Sequence, residues 1–325
     1  MRIQVVGSGS WGLALARLLA RNEHEVHLWC REEDDPDKLR RTRESKAFLP
    51  GVKIPESIQI ATEISPDVDI AVMAVPSHVM RHVAASLKFS PHTIRVSVAK
   101  GIENDSLLRM SEVIEEVAPG GPIVSLSGPS HAEEVGKDLP ASLVAAGKVE
   151  DAAKQVQEAF LSNNFRVYTS TDIVGVELGG SLKNVIAIAA GVCDGFELGD
   201  NAKAALITRG LAEIARLGVA CGADPLTFSG LSGLGDLIVT CASRHSRNRG
   251  VGEKIASGKT LDQILASMTM VAEGVRTTQS ARALAQKMNV EMPIMETTFE
   301  VLFNGADARY AIAALMMRDP KAETA

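Results

Sequence analysis

Apolar residues follow two rhythms along this chain, and the change comes near Ser170. Before it they fall in short, nearly unbroken runs, as in strands buried on both faces. After it they recur at the spacing of one face of a helix. Residues 2–6, 25–29, 69–75 (DIAVMAV), 93–99 (TIRVSVA), 123–126, 141–146 and 165–168 read as strands, several of them apolar enough for a covered parallel sheet. The pattern predicts an α/β N-terminal domain over 1–170, followed by an all-α C-terminal domain over 171–325. Ligands are expected at the junction, where pockets are common.

The stretch 169–195 opens the helical half. On a wheel of about 100° per residue, Leu178, Leu182, Val185, Ile186, Ile188, Ala189, Val192 and Cys193 cover most of the circumference. Glu177, Gly180, Lys183, Asn184, Ala187, Gly191 and Asp194 share the remaining sector. A helix apolar on most sides is buried, so its narrow polar strip is expected to face an internal cleft. Lys183 in such a cleft would be pushed toward the neutral amine, as general-base chemistry on an alcohol requires. The other reading is a lysine that snorkels to the surface above glycines that serve packing alone.

Candidate chemistry in the first half begins at its first turn. Gly7, Gly9 and Gly12 form GxGxxG between the first strand and the helical run LALARLLARN. There they would make a tight turn, let the backbone approach a pyrophosphate, and let the helix pack on the strand. The helix start then offers N–H groups and a positive dipole end to the diphosphate. The second strand ends at Cys30-Arg31-Glu32. An acid at this point would hold a ribose diol and an arginine a 2′-phosphate, so Arg31 favours NADP and leaves NAD open. Alternatively Arg31 belongs to the solvated run REEDDPDKLRRTRES. Lys100 follows the strand over 93–99, at the end of the sheet where ligands bind. A second cation there would lower the proton affinity of Lys183 and stabilise a developing alkoxide.

Two loops of the helical half are rich in polar residues. Asp236, in GLSGLGDLIVTCAS, suits either a helix N-cap or an acceptor for a substrate hydroxyl. The run SRHSRNRG, 243–250, offers arginines that fork onto phosphate beside a helix start, or forms a solvated basic turn. Residues 271–274 follow a helix and carry no pattern that decides their role, and the tail RDPKAETA is expected to fray.

The bulk properties narrow the class. At 325 residues and 46% hydrophobic content the chain is long enough for two cores, and a net charge of −6 disfavours nucleic acid. Four scattered cysteines have no metal-ligand spacing and read as reduced thiols. MRIQVVGSGS reads as a strand entering a glycine turn rather than a signal peptide. No apolar run is read as approaching the roughly 20 residues of a membrane span. A soluble intracellular protein without a metal is expected.

Taken together, GSGSWGLALA, VAKGIE, LSGPSHAEEV, GVELGGSLKNVIAIAAGVCDG, ALITRGLAEIARLG, FSGLSGLGDLIVTCASRHSRNRG, VAEGVRT and MPI resemble the bacterial-type NAD(P)-dependent glycerol-3-phosphate dehydrogenase family over nearly the whole chain. The resemblance implies an α/β Rossmann-type, dinucleotide-binding domain followed by an all-α, substrate-binding domain, and reversible reduction of dihydroxyacetone phosphate to sn-glycerol 3-phosphate, supplying phospholipid synthesis in the cytoplasm, commonly by a homodimer. It implies that Lys183 is the proton-transferring lysine and that Lys100, Gly128, Ser130, Asp236, Ser246, Arg247 and Asn248 contact substrate. Cofactor contacts are implied for Ser10, Trp11, Arg31, Lys100, Ala132, Arg247, Val271 and Glu273, beside the three glycines. Two positions depart from the family pattern: His131, where Phe is usual, and Cys30, where a small residue is commoner. Rival readings are a related hydroxy-acid dehydrogenase and a non-catalytic nucleotide-sensing protein. Lys100, Lys183 and Asp236 speak against the sensor, which needs no proton donor.

Overall fold

The computed structural model describes residues 1–268, 270–320, 322 and 323, so the tail expected to fray lies partly outside the described residues. Eight strands form one sheet: β1 Arg2–Val6, β2 Glu25–Trp29, β3 Gln59–Ala61, β4 Ile70–Met73, β5 Ile94–Ser97, β6 Ile123–Ser127, β7 Ala141–Gly147 and β8 Phe165–Ser170. Their spatial order is β3-β2-β1-β4-β5-β6-β7-β8. The pairs from β3 through to β6 are parallel, β7 lies antiparallel on β6, and β8 runs parallel to β7. The chain steps outward from β1 to β3 and then returns to β4 on the other side of β1. That reversal opens a crevice at the carboxyl ends of β1 and β4, where open α/β sheets hold their ligands.

Helices α1 Ser10–Arg21, α2 Pro36–Thr42, α3 Met80–Ala85, α4 Met110–Val117, α5 Ala132–Val135 and α6 Glu150–Phe160 accompany the sheet. Beyond Ser170 the described residues form helices and turns only. These are α7 Ile173–Gly195, α8 Gly199–Ala220, α9 Asp236–Ala242, α10 Arg247–Ala256, α11 Leu261–Ala266, α12 Glu273–Lys287, α13 Pro293–Phe303 and α14 Ala308–Met316. Ile3, Val5, Leu28, Ile70, Val96 and Leu126 centre one core on the sheet. Leu178, Leu182, Val185 and Ile186 of α7 centre another, with Leu217, Phe228, Leu237 and Ala281 around them.

Asp172 starts α7: its carboxylate accepts from Gly175 N at 2.9 Å, Asp224 N at 3.0 Å and Thr227 Oγ1 at 2.6 Å. By length and composition this 23-residue helix could cross a membrane, which corrects the expectation that no apolar run is long enough. Its most apolar window is instead 89% buried within the protein. The polar strip is also put to more uses than a single cleft. Glu177 is tied to α4, Asn184 to α10, and Asp194 to Lys203 and Arg249. Gly180 and Lys183 alone of the strip's members approach residues at the carboxyl ends of the strands or their charge network.

Helix α10 lies on α7 at backbone contact. A Cβ on Gly252 would overlap the Ile188 carbonyl oxygen, and one on Gly191 the Arg249 carbonyl oxygen. Both neighbours are main chain and cannot swing aside. Gly252→Ala should therefore lower the melting temperature, with overpacking of this kind costing about 1–3 kcal/mol. Gly250→Ala, where a Cβ meets nothing within 4 Å, should be neutral or stabilising by about 0.5–1 kcal/mol. Calorimetric melts that failed to separate the two would disprove the close helix contact.

Candidate functional site

The glycine turn after β1 has the geometry of a diphosphate cradle. Gly7 adopts φ +118, and a Cβ there would stand 2.6 Å from the Ala74 carbonyl oxygen. A Cβ on Gly12 would overlap the Gly7 carbonyl, so helix α1 sits directly on the turn. Around Gly9 the space is open, and no side chain caps the first turn of α1. Free N–H groups at an open helix start fit the diphosphate of a dinucleotide. Ser10 Oγ donates to Phe48 O at 2.5 Å and meets Met270 Sδ at 3.2 Å, which brings a segment of the helical half onto the turn. Trp11 packs half-buried against the sheet core, and Ala132 is buried at the start of α5.

Arg31 lies beyond β2 with its guanidinium forked on Asp34, at 2.9 and 2.8 Å, and close to Glu33. A 2′-phosphate at this place would share the guanidinium with an acid already bound to it. Cys30 is buried and its thiol accepts from Ser8 Oγ at 3.3 Å. On the other side of the crevice Glu273 crosses from α12 to Ser77, accepting from its backbone N at 3.2 Å and from its hydroxyl. Val271, two residues earlier, is exposed.

The two lysines converge on one carboxylate. Lys183 Nζ donates to Asp236 Oδ1 at 2.5 Å and to Thr240 Oγ1 at 2.5 Å. Lys100 Nζ donates to Asp236 Oδ2 at 2.6 Å and to Gly128 O at 3.0 Å. The same Gly128 carbonyl accepts from Ser130 Oγ at 2.8 Å. Lys100, Gly128, Ser130, Lys183 and Asp236 thus form one connected network across the seam between the sheet and the helices. Lys183 does not snorkel: its side chain is 6% exposed and that of Asp236 is 1% exposed.

Burial holds the Lys183 ammonium well below the ordinary lysine range, at about 8. The carboxylate of Asp236 opposes that shift and the charge of Lys100 adds to it. An N-cap role for Asp236 is excluded. The π turn Leu231–Gly235 runs straight into α9, Gly235 occupies the cap position, and both carboxylate oxygens are on ammonium groups. Charge-assisted bonds of this kind are stronger than a neutral cap.

The basic turn is divided in its use. Ser246 caps α10, its hydroxyl accepting from Arg249 N at 3.2 Å. Arg249 is spent on Asp194 and Glu253. Arg247, at the first position of α10, is exposed, and its side chain forms no hydrogen bond or ion pair among the described residues. Asn248 is buried, donating to Asn184 Oδ1 at 2.9 Å and accepting from Gly274 N at 2.9 Å. One amide N–H of Asn248 is left over.

Thr240, which was not singled out in the sequence, belongs to this site, as does Ser77 in the polar turn after the strand over 69–75. Thr240 stands four residues after Asp236, one helical turn on, so it shares Asp236's face of α9. Ser77 follows β4 in the same way that Lys100 follows β5. Among the described residues no group of three or more His, Cys, Asp or Glu is arranged to hold a metal ion.

Comparison with known proteins finds two family matches along the chain. The profile of the NAD-dependent glycerol-3-phosphate dehydrogenase N-terminus matches residues 2–153, and that of the C-terminus residues 172–313. A glycerol-3-phosphate dehydrogenase [NAD(P)+] of Desulfitobacterium hafniense is 49% identical over 326 residues, covering 99% of this chain and 93% of its own length. One of Prosthecochloris aestuarii is 51% identical over 332 residues, covering 99% of this chain and 100% of its own. The crystal structure of glycerol-3-phosphate dehydrogenase from Coxiella burnetii superposes with a TM-score of 0.94 at 35% identity, covering 98% of this chain and 99% of that one.

The charge network makes a spectroscopic measurement decisive. Lysine side-chain NMR should find Lys183 titrating near pH 8. Lys100→Met should move that titration up, because a repelling charge is lost, and Asp236→Asn should move it down, because an attracting one is lost. Unchanged titration in both variants would remove the coupling from the description.

Proposed function

Because the chain belongs to the NAD-dependent glycerol-3-phosphate dehydrogenase family, we propose that its reaction, the interconversion of dihydroxyacetone phosphate and sn-glycerol 3-phosphate with NAD(P)H, runs through Lys183. The observation that carries the assignment is the buried Lys183 ammonium, 2.5 Å from Asp236 and depressed to about 8. A bound nicotinamide supplies or accepts the hydride. Lys183 as ammonium gives its proton to the carbonyl oxygen during reduction, and as neutral amine removes the hydroxyl proton in the reverse direction. Lys100 stabilises negative charge on the same oxygen. Asp236 fixes both ammonium groups and accepts a hydrogen bond from the terminal hydroxyl.

Arg247, with the Ser246 turn and the remaining Asn248 N–H, holds the phosphate at the start of α10. Binding energy spent at that remote group orients the reacting carbon. Gly128 and Ser130 shape the substrate side through the carbonyl that Lys100 uses. Gly7, Gly9, Ser10, Trp11 and Gly12 take the diphosphate side of the cofactor, and Arg31 its adenosine end, with NADP favoured over NAD. Ala132, Val271 and Glu273 flank the nicotinamide side. The division at 170/171 separates cofactor and substrate domains. The enzyme acts in the cytoplasm as a homodimer and supplies glycerol 3-phosphate for phospholipid synthesis.

Nicotinamide absorbance, followed with NADPH and NADH in turn, measures the reaction and the coenzyme preference together. Lys183→Ala should lose at least about a hundredfold in turnover while keeping cofactor affinity. Near-normal turnover would remove this lysine from the chemistry. In the unaltered enzyme reduction should be level below pH 8 and fall above it, while oxidation should rise through the same range, because the two directions need opposite states of one amine.

Arg247→Ala should raise KM for dihydroxyacetone phosphate by roughly tenfold or more, the worth of a hydrogen bond to a charged group. Unphosphorylated dihydroxyacetone should be little affected. Equal losses on the two substrates would argue against a phosphate clamp.

A further inference from the structure

The loop from Ser127 to His131 carries two side chains with unmet hydrogen bonding that the chemistry above leaves unused. Ser127 Oγ and His131 Nε2 are both buried and have no hydrogen-bond partner. Leaving such an atom unpaired costs about 1–3 kcal/mol, and buried polar atoms are otherwise almost always paired. Ser127 ends β6 against α7: a Cβ built on Gly180 would lie 2.5 Å from its hydroxyl and 3.7 Å from Lys100 Cγ. The unmet hydroxyl therefore lies in the seam that holds the two lysines.

His131 follows Ser130 and occupies the cap position of α5. Its ring centroid is 5.9 Å from that of His245, the two rings tilted by 53°. His245 directly precedes Ser246 and Arg247. The ring thus reaches from the loop that carries Gly128 and Ser130 to the turn that presents Arg247. The groups facing it are Lys183 from α7, Lys100 from the end of β5, Glu133 from its own helix, the Val239 carbonyl of α9, and His245. Burial and the two lysines favour the neutral imidazole. A phosphate dianion beside the ring would oppose the charge of the two lysines and favour the imidazolium.

We propose that His131 is a further substrate-binding residue, its Nε2 hydrogen-bonding the phosphate of the three-carbon substrate opposite Arg247. The proposal rests on the reading of the Ser246–Arg247 turn as the phosphate site. It assigns His131 to the phosphate because Lys183 and Lys100 already serve the reacting oxygen, and because the ring adjoins the phosphate turn through His245. Binding of the dianion then draws a proton onto the ring, so affinity strengthens as pH falls through the imidazole range.

The test uses two variants. His131→Phe keeps a planar ring of similar size without nitrogen, and His131→Gln keeps a donor that does not titrate. His131→Phe should raise KM for dihydroxyacetone phosphate about tenfold, as loss of a bond to a charged group does. Its kcat, its titration with NADPH and its KM for unphosphorylated dihydroxyacetone should stay close to the parent's. His131→Gln should recover part of the affinity. Both variants should flatten the dependence of KM on pH between about 5.5 and 8, compared with the parent at each pH so that the phosphate's own titration is common to all.

Parental KM at every pH in His131→Phe would overturn the proposal, as would equal losses on both substrates. If the Phe variant does not fold, parental pH dependence in His131→Gln would overturn it alone. An Arg247→Ala variant of normal KM would instead sink the phosphate turn itself. A raised KM in Arg247→Ala beside an unaffected His131→Phe would sink this inference only.

Discussion

A single carboxylate clamped between two ammonium groups is the constraint around which the structure is arranged. Asp236 has almost no access to water, so its charge has to be met by protein. Lys183 comes from α7 and Lys100 from the end of β5, and neither could reach it unless α9, α7 and the sheet met at one point. The cluster still carries one net positive charge, and that surplus makes the seam receptive to electron-rich groups. Burying three charges is expensive unless each hydrogen bond is well made. Here Thr240 and the Gly128 carbonyl take up donors that Asp236 cannot.

Other contacts hold the two halves in the register that this cluster needs. Glu177 is buried on α7 and accepts from Arg109 Nη1 at 2.5 Å, Ser111 Oγ at 2.6 Å and Ser111 N at 2.8 Å, all at the start of α4. Ser77 with Glu273 and Asn104 with Gln279 add two ties farther along the seam. Each joins a loop or helix start of the sheet half to a helix of the other half. The cofactor crevice is thereby bordered by both halves, while the glycine cradle belongs to one.

Much of this was legible in the sequence because it rests on patterns that physics makes local. The GxGxxG turn follows from the backbone freedom of glycine, and the apolar strands and the mostly apolar circumference of α7 from the period of the side chains. What was not legible depends on partners distant in the chain. The three-residue strand β3 has no pattern of its own and exists because β2 offers it an edge. The reversal of β7 leaves its apolar run looking the same in either direction. Asp236 could be read as a cap because nothing nearby announces that two lysines, 53 and 136 residues away, would claim it. The polar strip of α7 was read as one cleft face, yet Glu177, Asn184 and Asp194 serve three different neighbours. Their residue types alone carried no sign of that division.

The reversed strands at the edge of the sheet have a geometric consequence. Since β7 and β8 run against β6, the chain leaves the sheet below the strand tips, with Ser170 level with Ala146 and Ala146 with Ser125. Helix α7 then runs back along the sheet, with Gly180 beside Ser127, before it presents Lys183 to Asp236. The two turns between Ile173 and Gly180 act as a ruler that sets both the height and the azimuth of the amine. One inserted residue in that span would rotate it by about 100° while lifting it only about 1.5 Å. The stem of α7 is therefore fixed in phase.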